Sequence, residues 1–271
     1  MAEVTWSAAT SGLKGGEVRF HHAIVKLPCP EMIRGISRSS LGKPDYPKAL
    51  EQHSEYVEAL KMCGLSVMIL EADDRFPDST FIEDVALCTP ACAIVTNPGA
   101  LSRKGETDGI RQVLQEFYTD IEEIAIPGTL EAGDVMMVSN NFYIGLSERT
   151  NNAGISQLTG ILRNYGFTAS KVPLKQILHL KTGVSYIENN NFLVSGELID
   201  HREFAGFNRI IVDRTEAYAS NSVWINGRVL VPQGYPKTRH QIEEAGYETI
   251  ILDVSEFRKL DGGLSCLSLR F

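Results

Sequence analysis

The sequence lacks any apolar run long enough to cross a membrane. A spanning helix needs about 18 or more consecutive apolar residues, and the densest apolar stretch, from Ala86 to Val95, is interrupted by Thr89 and Pro90. With 271 residues, the chain is long enough to bury a large core without disulfides or a structural metal. We therefore expect a water-soluble globular protein with no membrane partner.

Positive charge is scarce relative to negative charge. The chain has 26 Lys and Arg against 34 Asp and Glu, a formal net charge of −8, and no short segment is rich in Lys or Arg. Such a protein has no long-range attraction for nucleic-acid phosphates or anionic lipids. The charge balance therefore argues against a nucleic-acid partner.

Cysteine is also infrequent, and the odd number of five indicates free thiols in a reducing compartment. The first 16 residues are rich in Ala, Ser, Thr and Gly, and they lack the basic start and apolar segment of a signal peptide. The sequence thus predicts a cytoplasmic protein with a flexible tail over residues 1–20 and a single domain over residues 21–271.

Cys88 and Cys92 form the one closely spaced pair of cysteines. A tetrahedral zinc site needs two further Cys or His ligands, and no such pair lies nearby in the sequence. We interpret both residues as small apolar side chains in a strand and a turn, and we expect no metal there.

Hydrophobic periodicity indicates one repeated order of elements from Phe20 onward: an extended run, a turn, a second extended run, a helix and a further extended run. The predicted helices are Tyr46–Cys63, Glu106–Tyr118, Asn151–Tyr165 and Thr238–Ala245. The strands predicted after them are Ser66–Leu70, Ile121–Ile126, Thr168–Val172 and Thr249–Val254. The predicted paired strands are Val85–Leu87 with Ala93–Thr96, Val135–Val138 with Phe142–Ile144, Gly183–Ile187 with Phe192–Ser195, and Ser222–Ile225 with Val229–Pro232.

Three polar residues recur at a fixed spacing within this pattern. Glu83, Glu131 and His179 are each 48 positions apart, which suggests that equivalent positions of successive units carry them. A period of about 40–50 residues is typical of a radial or solenoid array. We predict an α/β domain of five ββαβ units around an axis, in which Cys266–Phe271 returns to complete the unit begun by His22–Leu27.

Asp78 and the segment Phe81–Asp84 place three carboxylates around the start of an apolar strand. We assign Glu83 and Asp84 to that strand, where their side chains project to opposite faces. Two interpretations stay open from these residues alone: a turn with solvated acids, or a site for a cationic ligand.

The segment Thr129–Asp134 repeats an acid before a strand, and Gly133 there permits close backbone approach. His179 opens the next unit among apolar residues. Each also has a purely structural interpretation, because Asp134 can satisfy the amides of a β-turn and a single His among apolar residues is usually a hydrogen-bonded core residue. The regular spacing from Glu131 favours a functional His179.

Cys266 follows a Gly-Gly turn near the end of the sequence. A thiol at such a junction, close to a cation, can react as a thiolate; a buried small residue in the last strand is the alternative. Arg103 and Arg149 each lie between a strand and a helix, where loops carry ligand contacts. Two guanidinium groups suit a carboxylate, although a solvated surface arginine is the default for each residue alone.

Six motifs occur in order: Phe81-Ile-Glu-Asp84, Asn97-Pro-Gly-Ala-Leu-Ser-Arg103, Leu130-Glu-Ala-Gly-Asp134, Leu146-Ser-Glu-Arg-Thr-Asn151, His179-Leu-Lys-Thr182 and Asp261-Gly-Gly-Leu-Ser-Cys266. Together they closely resemble the dimethylarginine dimethylaminohydrolase family of guanidine-modifying enzymes, in the pentein superfamily. The resemblance runs from about His22 to Phe271. It implies a five-bladed α/β-propeller that hydrolyses Nω-methylated L-arginines to L-citrulline and dimethylamine or methylamine, through a covalent cysteine thiouronium intermediate.

The resemblance also implies a role for each candidate residue. Cys266 would be the nucleophile, His179 the general acid and base, and Glu131 the carboxylate that holds His179. The substrate-binding residues would be Glu83 and Asp84 at the guanidinium, Arg103 and Arg149 at the carboxylate, and Asp78 with the main-chain oxygens of Ile36 and Leu260 at the amino group. The partner would be the small-molecule substrate, with no metal or cofactor, and a homodimer is left open.

One position helps to choose a substrate within this group of enzymes. Arginine deiminases and amidinotransferases resemble each other in a His-x-Asp motif, and the residue that matches its Asp here is Lys181. A dimethylated nitrogen has no hydrogen to donate, so a carboxylate beside it would be desolvated and unpaired. Lys181 therefore favours a methylated substrate. Two alternatives stay open: a deiminase-type hydrolase acting on arginine or another guanidine, and a non-catalytic arginine-binding module.

Overall fold

The computed structural model describes residues 19–271, so residues 1–18 of the predicted tail lie outside it. Its strands are β1 (His22–Lys26), β2 (Ser66–Leu70), β3 (Ala86–Cys88), β4 (Ala93–Val95), β5 (Ile121–Glu123), β6 (Val135–Val138), β7 (Asn141–Leu146), β8 (Thr168–Pro173), β9 (Val184–Tyr186), β10 (Asn191–Val194), β11 (Asn208–Ile211), β12 (Val223–Ile225), β13 (Arg228–Pro232), β14 (Glu248–Leu252) and β15 (Leu269–Arg270). Its α-helices are α1 (Tyr46–Met62), α2 (Ile110–Leu114), α3 (Asn152–Asn164), α4 (Leu180–Gly183), α5 (Pro236–Glu244) and α6 (Ser255–Arg258). Short 3-10 helices cover Pro30–Arg34, Ile82–Val85, Leu101–Thr107, Ala132–Asp134, Gly196–Leu198, Arg202–Phe204, Arg214–Ser220 and Ser265–Leu267.

The described residues form five three-stranded sheets, and each sheet is one blade of the propeller. The blades are β15-β1-β2, β3-β4-β5, β6-β7-β8, β9-β10-β11 and β12-β13-β14. In each blade the middle strand is antiparallel to the first strand and parallel to the third. A parallel neighbour requires a crossover connection, which explains the helical segment after each middle strand. The predicted five-bladed α/β-propeller is confirmed.

The last strand closes the first blade. β15 runs antiparallel to β1, with Leu269 opposite Ile24, and the amide of His22 donates to the carbonyl oxygen of Phe271 at 2.7 Å. This pairing confirms the predicted return of the C-terminal segment. It also places the turn that carries Cys266 at the entrance to the first blade.

The helical crossovers differ more from the sequence-based prediction than the strands do. Helices α1, α3 and α5 lie within about two residues of their predicted bounds. The predicted helix Glu106–Tyr118 is wrong in extent, because Gly109 adopts a left-handed conformation with φ +81° and separates a 3-10 helix from the short α2. In the fourth blade two 3-10 turns replace the helix, and β11 follows them where no strand was predicted.

Local sequence signals explain where the two longest helices begin. Before α1, the Oδ1 of Asp45 accepts a hydrogen bond from the amide of Lys48 at 3.1 Å, and Pro47 occupies the first turn, where no amide donor is needed. Before α3, the side chain of Asn151 accepts a hydrogen bond from the amide of Gly154 at 2.8 Å. A capping acceptor therefore marks both starts.

The chain enters the first strand of every blade through a short turn, and these turns meet one another. The amide of Gly133 in the third blade's turn donates to the Oδ1 of Asp84 in the second blade's turn at 2.9 Å. The Nδ2 of Asn221, just before β12, donates to the Oγ of Ser265, just before β15, at 3.0 Å. Polar residues at equivalent positions of different blades thus converge on one place.

The apolar core is divided among the interfaces between neighbouring blades. Five clusters of buried side chains occur in the described residues, and each joins two adjacent blades. For example, Phe142 of the third blade packs with Ile94 of the second, and Leu193 of the fourth blade packs with Val229 of the fifth. Each unit thus buries its face against the next, as the repeat predicted.

Within residues 19–271, no helix combines the length and the apolar character that a membrane crossing requires. The amide of Phe20 donates to the Oδ1 of Asn226 in the fifth blade at 2.8 Å. The domain boundary after residue 20, the cytoplasmic location and a homodimer stay predictions.

His53 lies on the buried face of α1, with 1% of its surface exposed. Burial lowers the pKa of its ring to about 4, and a hydrogen bond with the backbone of Lys26 opposes this shift only in part. The unfolded chain takes up the proton near the ordinary pKa of about 6.5. The folded state therefore loses stability as the pH falls from about 6.5 toward 4, by roughly 3 kcal/mol in all.

We expect the free energy of unfolding, measured by urea denaturation at a series of pH values, to fall across this window. His53→Gln removes the titrating ring and should make the profile flatter between about pH 6.5 and 4. Profiles of equal slope for the two proteins would show that His53 is not responsible.

Candidate active site

A pocket lies where the entry turns of the blades meet. Its walls include His179, Lys181, Tyr218, Asn221, Ser265 and Cys266, together with Gly133. These residues belong to the turns that precede β6, β9, β12 and β15. The structure therefore brings the predicted nucleophile and the predicted general acid and base into one cavity.

Glu131 and His179 form a buried pair. The Nε2 of His179 lies 2.7 Å from the Oε2 of Glu131, and Glu131 has no exposed surface. Burial lowers the pKa of His179, but the surrounding carboxylates Asp84, Glu131 and Asp134 outweigh burial and raise it to about 9. Burial raises the pKa of Glu131, but the hydrogen bond and charge of His179 lower it to about 2. At neutral pH the pair is an imidazolium and a carboxylate.

Gly133 allows the histidine to approach the acid of the neighbouring blade. A Cβ at this position would lie 2.8 Å from both the Oδ1 of Asp84 and the Nδ1 of His179. Asp134 accepts a hydrogen bond from the amide of Leu180 at 2.9 Å, so it holds the turn that carries His179. Asp134 therefore satisfies a backbone amide, as one interpretation of the sequence expected, but the amide belongs to a different blade.

Cys266 lies half-buried in the 3-10 turn Ser265–Leu267. Its Sγ is 3.4 Å from the amide nitrogen of Gly263. Burial, reinforced by the negative charges of Glu83 and Asp84, raises the pKa of the thiol to about 12. The free protein therefore holds a thiol here, and a cation that enters the pocket would favour the thiolate.

Arg103 and Asp84 form a buried ion pair, which excludes the interpretation of either as a solvated surface residue. The Nη1 of Arg103 lies 2.5 Å from the Oδ2 of Asp84, and 5% and 3% of the two residues are exposed. The strand assigned to Glu83 and Asp84 is also wrong, because both lie in the 3-10 helix Ile82–Val85. That turn directs Asp84 toward the neighbouring blade.

Arg149 reaches the site from the third blade. Its Nη1 lies 3.4 Å from the Oε1 of Glu131, and 15% of its side chain is exposed. A Cβ at Gly99 would lie 2.3 Å from the carbonyl oxygen of Arg149, so glycine is required for the close packing of the two loops. Each predicted carboxylate-binding arginine is thus paired with an acid of the site, Arg103 with Asp84 and Arg149 with Glu131.

The residues predicted to hold an amino group also lie together. Asp78 is 5% exposed, and its carboxylate accepts hydrogen bonds from the amide of Ile36 at 3.0 and 3.2 Å. A Cβ at Gly35 would lie 2.7 Å from the Oδ1 of Asp78 and 3.2 Å from the Cδ1 of Leu260. The first and last parts of the domain therefore meet at Asp78.

Asp84, Glu131 and His179 are a group of possible metal ligands within the part of the chain that the structure describes. One donor atom of each lies within 4.8 Å of the others. Arg103 and the imidazolium of His179 already balance the two carboxylates. The arrangement therefore does not need a metal ion to compensate its charge.

Comparison with known proteins identifies the family of this chain. The chain matches the family model "N,N dimethylarginine dimethylhydrolase, eukaryotic" over residues 43–223. It is 51% identical over 253 residues to the N(G),N(G)-dimethylarginine dimethylaminohydrolase of Pseudomonas aeruginosa, and the match covers 93% of this chain and 100% of the relative. The protein of the same name from Streptomyces coelicolor is 32% identical, with 92% and 96% covered. The chain belongs to the dimethylarginine dimethylaminohydrolase family.

Solved structures of dimethylarginine dimethylaminohydrolase share the fold of this chain. The cysteine-to-serine mutant from Pseudomonas aeruginosa complexed with citrulline has a TM-score of 0.93 at 50% identity, and the match covers 94% of this chain and 100% of that one. The adduct of a histidine-to-glycine mutant of dimethylarginine dimethylaminohydrolase with S-methyl-L-thiocitrulline has a TM-score of 0.92 at 50% identity. That match covers 93% of this chain and 100% of the other. The N-terminal domain of ArgZ, at 19% identity, has the same fold with a TM-score of 0.83, covering 92% and 97%.

Further polar groups contact Glu83, one of the residues that the dimethylarginine dimethylaminohydrolase resemblance assigns to the substrate. The carboxylate of Glu83 accepts hydrogen bonds from the Nζ of Lys181 at 2.6 Å, the Oγ of Ser265 at 2.8 Å and the Nη2 of Arg270 at 3.2 Å. Two cations therefore compensate Glu83, whereas the Oδ1 of Asp84 faces the histidine.

Sequence reasoning missed Ser265, Arg270, Asn221 and Glu106. Ser265 directly precedes Cys266, so its position was a usable signal. Nothing in the local sequence marks Arg270 or Glu106, because each contacts the site through a long side chain whose partners are known only from the fold.

Proposed function

We propose that this protein hydrolyses Nω-methylated L-arginines, asymmetric dimethylarginine and monomethylarginine, to L-citrulline and dimethylamine or methylamine. The observation that carries the proposal is the pocket lined by both Cys266 and His179, in which the buried Glu131 holds the Nε2 of His179. A thiol, an imidazolium and carboxylates around one cavity suit the addition of sulfur to a cationic planar carbon. The names and ligands of the relatives described above support the same reaction.

The substrate is an amino acid with a cationic side chain, and the site has groups for each end. Asp84 and Glu83 lie at the guanidinium end, and Asp84 supplies the attracting negative charge because Lys181 and Arg270 already compensate the charge of Glu83. The groups for the amino-acid end are Arg103 and Arg149 at the carboxylate, and Asp78 with the main-chain oxygens of Ile36 and Leu260 at the amino group.

Binding of the guanidinium starts the reaction. A cation roughly 4 Å from the sulfur stabilises the thiolate of Cys266 by several kcal/mol at intermediate dielectric, and the thiol proton passes to water. The sulfur adds to the guanidinium carbon, and the electrons of the C=N bond move to nitrogen. His179, whose Nε2 is held by Glu131, donates the proton on its other ring nitrogen to the leaving dimethylamine. A thiouronium remains on Cys266.

Water completes the reaction. The now neutral His179 removes one proton from water as the oxygen adds to the thiouronium carbon. The C–S bond then breaks, citrulline forms, and the second proton of the water returns to the sulfur. Cys266 is again a thiol and His179 is again an imidazolium, so the site is ready for another turnover.

Lys181 supports a methylated substrate over arginine. Its ammonium lies 2.6 Å from the Oε1 of Glu83, so Glu83 is compensated within the protein. A nitrogen that carries two methyl groups needs no hydrogen-bond acceptor, whereas an unmethylated nitrogen would lose its hydrogen bonds to water without replacement.

Purified protein incubated in parallel with asymmetric dimethylarginine, monomethylarginine and arginine tests the proposal, with citrulline as the measured product. We expect citrulline from both methylated substrates and much less from arginine. Faster turnover of arginine would favour the deiminase-type alternative. Binding of all three without any citrulline would favour the arginine-binding module.

The pH dependence of kcat/KM tests the role of His179. Since His179 must carry a proton to release the amine, we expect kcat/KM to fall as the pH rises through about 9. Glu131→Gln removes a carboxylate that raises the pKa of His179, so the falling limb should move to lower pH. A limb that stays in place in this variant would argue against the assignment of His179 as the acid.

A further inference from the structure

Glu106 lies outside the motifs of the resemblance, three positions after Arg103 in the 3-10 helix Leu101–Thr107. It is 6% exposed. Its carboxylate accepts the Nε proton of Arg103 at 3.1 and 3.0 Å, and an Nη2 proton at 2.7 Å. Burial raises the pKa of Glu106 to about 7, while the charge and hydrogen bonds of Arg103 oppose the shift. Above that pH, Glu106 is a buried carboxylate on Arg103.

The donors of Arg103 are almost fully used. A guanidinium has five N–H groups. Glu106 takes the one on Nε and one on Nη2, and the carbonyl oxygen of Phe81, 3.0 Å from Nη2, takes the other. Asp84 takes one on Nη1. Within residues 19–271 this leaves a single N–H, on Nη1, for a ligand.

The two acids differ in what happens when substrate enters. Asp84 is also the carboxylate proposed to meet the substrate guanidinium, so its contact with Arg103 competes with the substrate. The contact of Glu106 does not compete, because Glu106 holds the opposite edge of the guanidinium. A buried cation left without its counter-charge costs several kcal/mol. Glu106 therefore supplies a partner that persists when Asp84 turns to the substrate.

We propose that Glu106 is a positioning residue that holds the guanidinium of Arg103 aimed at the α-carboxylate of the substrate, so that the pocket selects guanidines that carry a carboxylate. This inference rests on the proposed function, since it takes Arg103 as the group that binds the carboxylate. Gly105 supports the arrangement, because a Cβ there would lie 2.4 Å from the ring of Phe76, and the helix packs closely enough to hold Glu106 against Arg103.

Glu106→Gln, assayed at about pH 8 where the wild-type residue is charged, tests this inference. We expect KM for asymmetric dimethylarginine to rise about tenfold or more, while kcat changes little. Glu216→Gln is the matched control. Glu216 is equally buried at 6%, but it accepts hydrogen bonds from the amides of Lys237 and Thr238 in the fifth blade. An unchanged KM in Glu106→Gln, or an equal rise in both variants, would overturn the inference.

A probe without a carboxylate separates positioning from general damage to the pocket. 2-Chloroacetamidine carries an amidinium, and it alkylates a thiolate with loss of chloride. We expect Glu106→Gln to be alkylated at Cys266 as fast as the wild type, as measured by mass spectrometry over time. Slower alkylation that matches the loss in kcat/KM would show a damaged pocket and would overturn the inference.

A double-mutant cycle tests whether Glu106 acts through Arg103. Arg103→Lys should raise KM by itself, and Glu106→Gln should add little in that background. Fully additive effects would contradict a shared role.

If Glu106→Gln does not fold, Glu106→Asp replaces it, with the same expected rise in KM because the shorter side chain reaches Arg103 less well. A wild-type protein that forms no citrulline would refute the proposed function, and this inference with it.

Discussion

Cys266→Ser is expected to reduce the turnover of asymmetric dimethylarginine by more than about 1,000-fold. A serine hydroxyl is much harder to ionise than a thiol, and a bound guanidinium that suffices to form a thiolate does not suffice to form an alkoxide. The ion pairs of the pocket do not involve the sulfur. Substrate should therefore still bind to the variant.

Two measurements check this result: citrulline formation for turnover, and calorimetric titration for binding. Cys88→Ser is the matched control, since burial raises the pKa of the Cys88 thiol to about 12 as well, yet Cys88 lies on β3 and not in the pocket lining. We expect normal turnover from it. Normal turnover in Cys266→Ser would refute the nucleophile and the mechanism built on it.

His179→Ala is expected to lower kcat by roughly 100- to 10,000-fold. Without the imidazole, the dimethylamine nitrogen cannot be protonated as it leaves, and no base can remove a proton from the hydrolytic water. The variant also leaves Glu131 without its partner at 2.7 Å, although Arg149 still lies 3.4 Å from that carboxylate. Some affinity for substrate should remain.

A substrate with a different leaving group separates the two roles of His179. In S-methyl-L-thiocitrulline the leaving group is methanethiol, which departs as a thiolate without prior protonation. The variant should therefore form the thiouronium but hydrolyse it slowly. Mass spectrometry of the protein would detect a stable increase equal to the compound minus methanethiol. The solved structure of a family relative in which a histidine is replaced by glycine shows an adduct with this compound.

His53→Gln is the control for this experiment, since it removes a buried histidine of α1 outside the pocket lining. At neutral pH it should turn over dimethylarginine normally. Steady release of citrulline by His179→Ala at the wild-type rate would exclude an acid or base role for His179.

Much of the architecture could be predicted because its signals are local or periodic. Alternating apolar runs bounded by turn residues identified most strands, and the spacing of Glu83, Glu131 and His179 revealed the repeat. The errors have physical causes as well. Gly109, with φ +81°, separates the 3-10 helix Leu101–Thr107 from α2, so the helix predicted across it is interrupted. The connection between β10 and its parallel partner β11 contains 3-10 turns and no α-helix, so no helical periodicity in the sequence indicated β11.

The sequence by itself determined the order of the elements, the five-unit repeat and the side chains available to a guanidine-modifying site. Only the tertiary structure decided which charges meet. Lys181 pairs with Glu83 from 98 positions away, and Arg103 is buried between Asp84 and Glu106. Long charged side chains can reach several partners, and the choice depends on how closely turns from different blades approach. Those contacts also set the proton positions on Cys266 and His179, which neither periodicity nor residue propensity encodes.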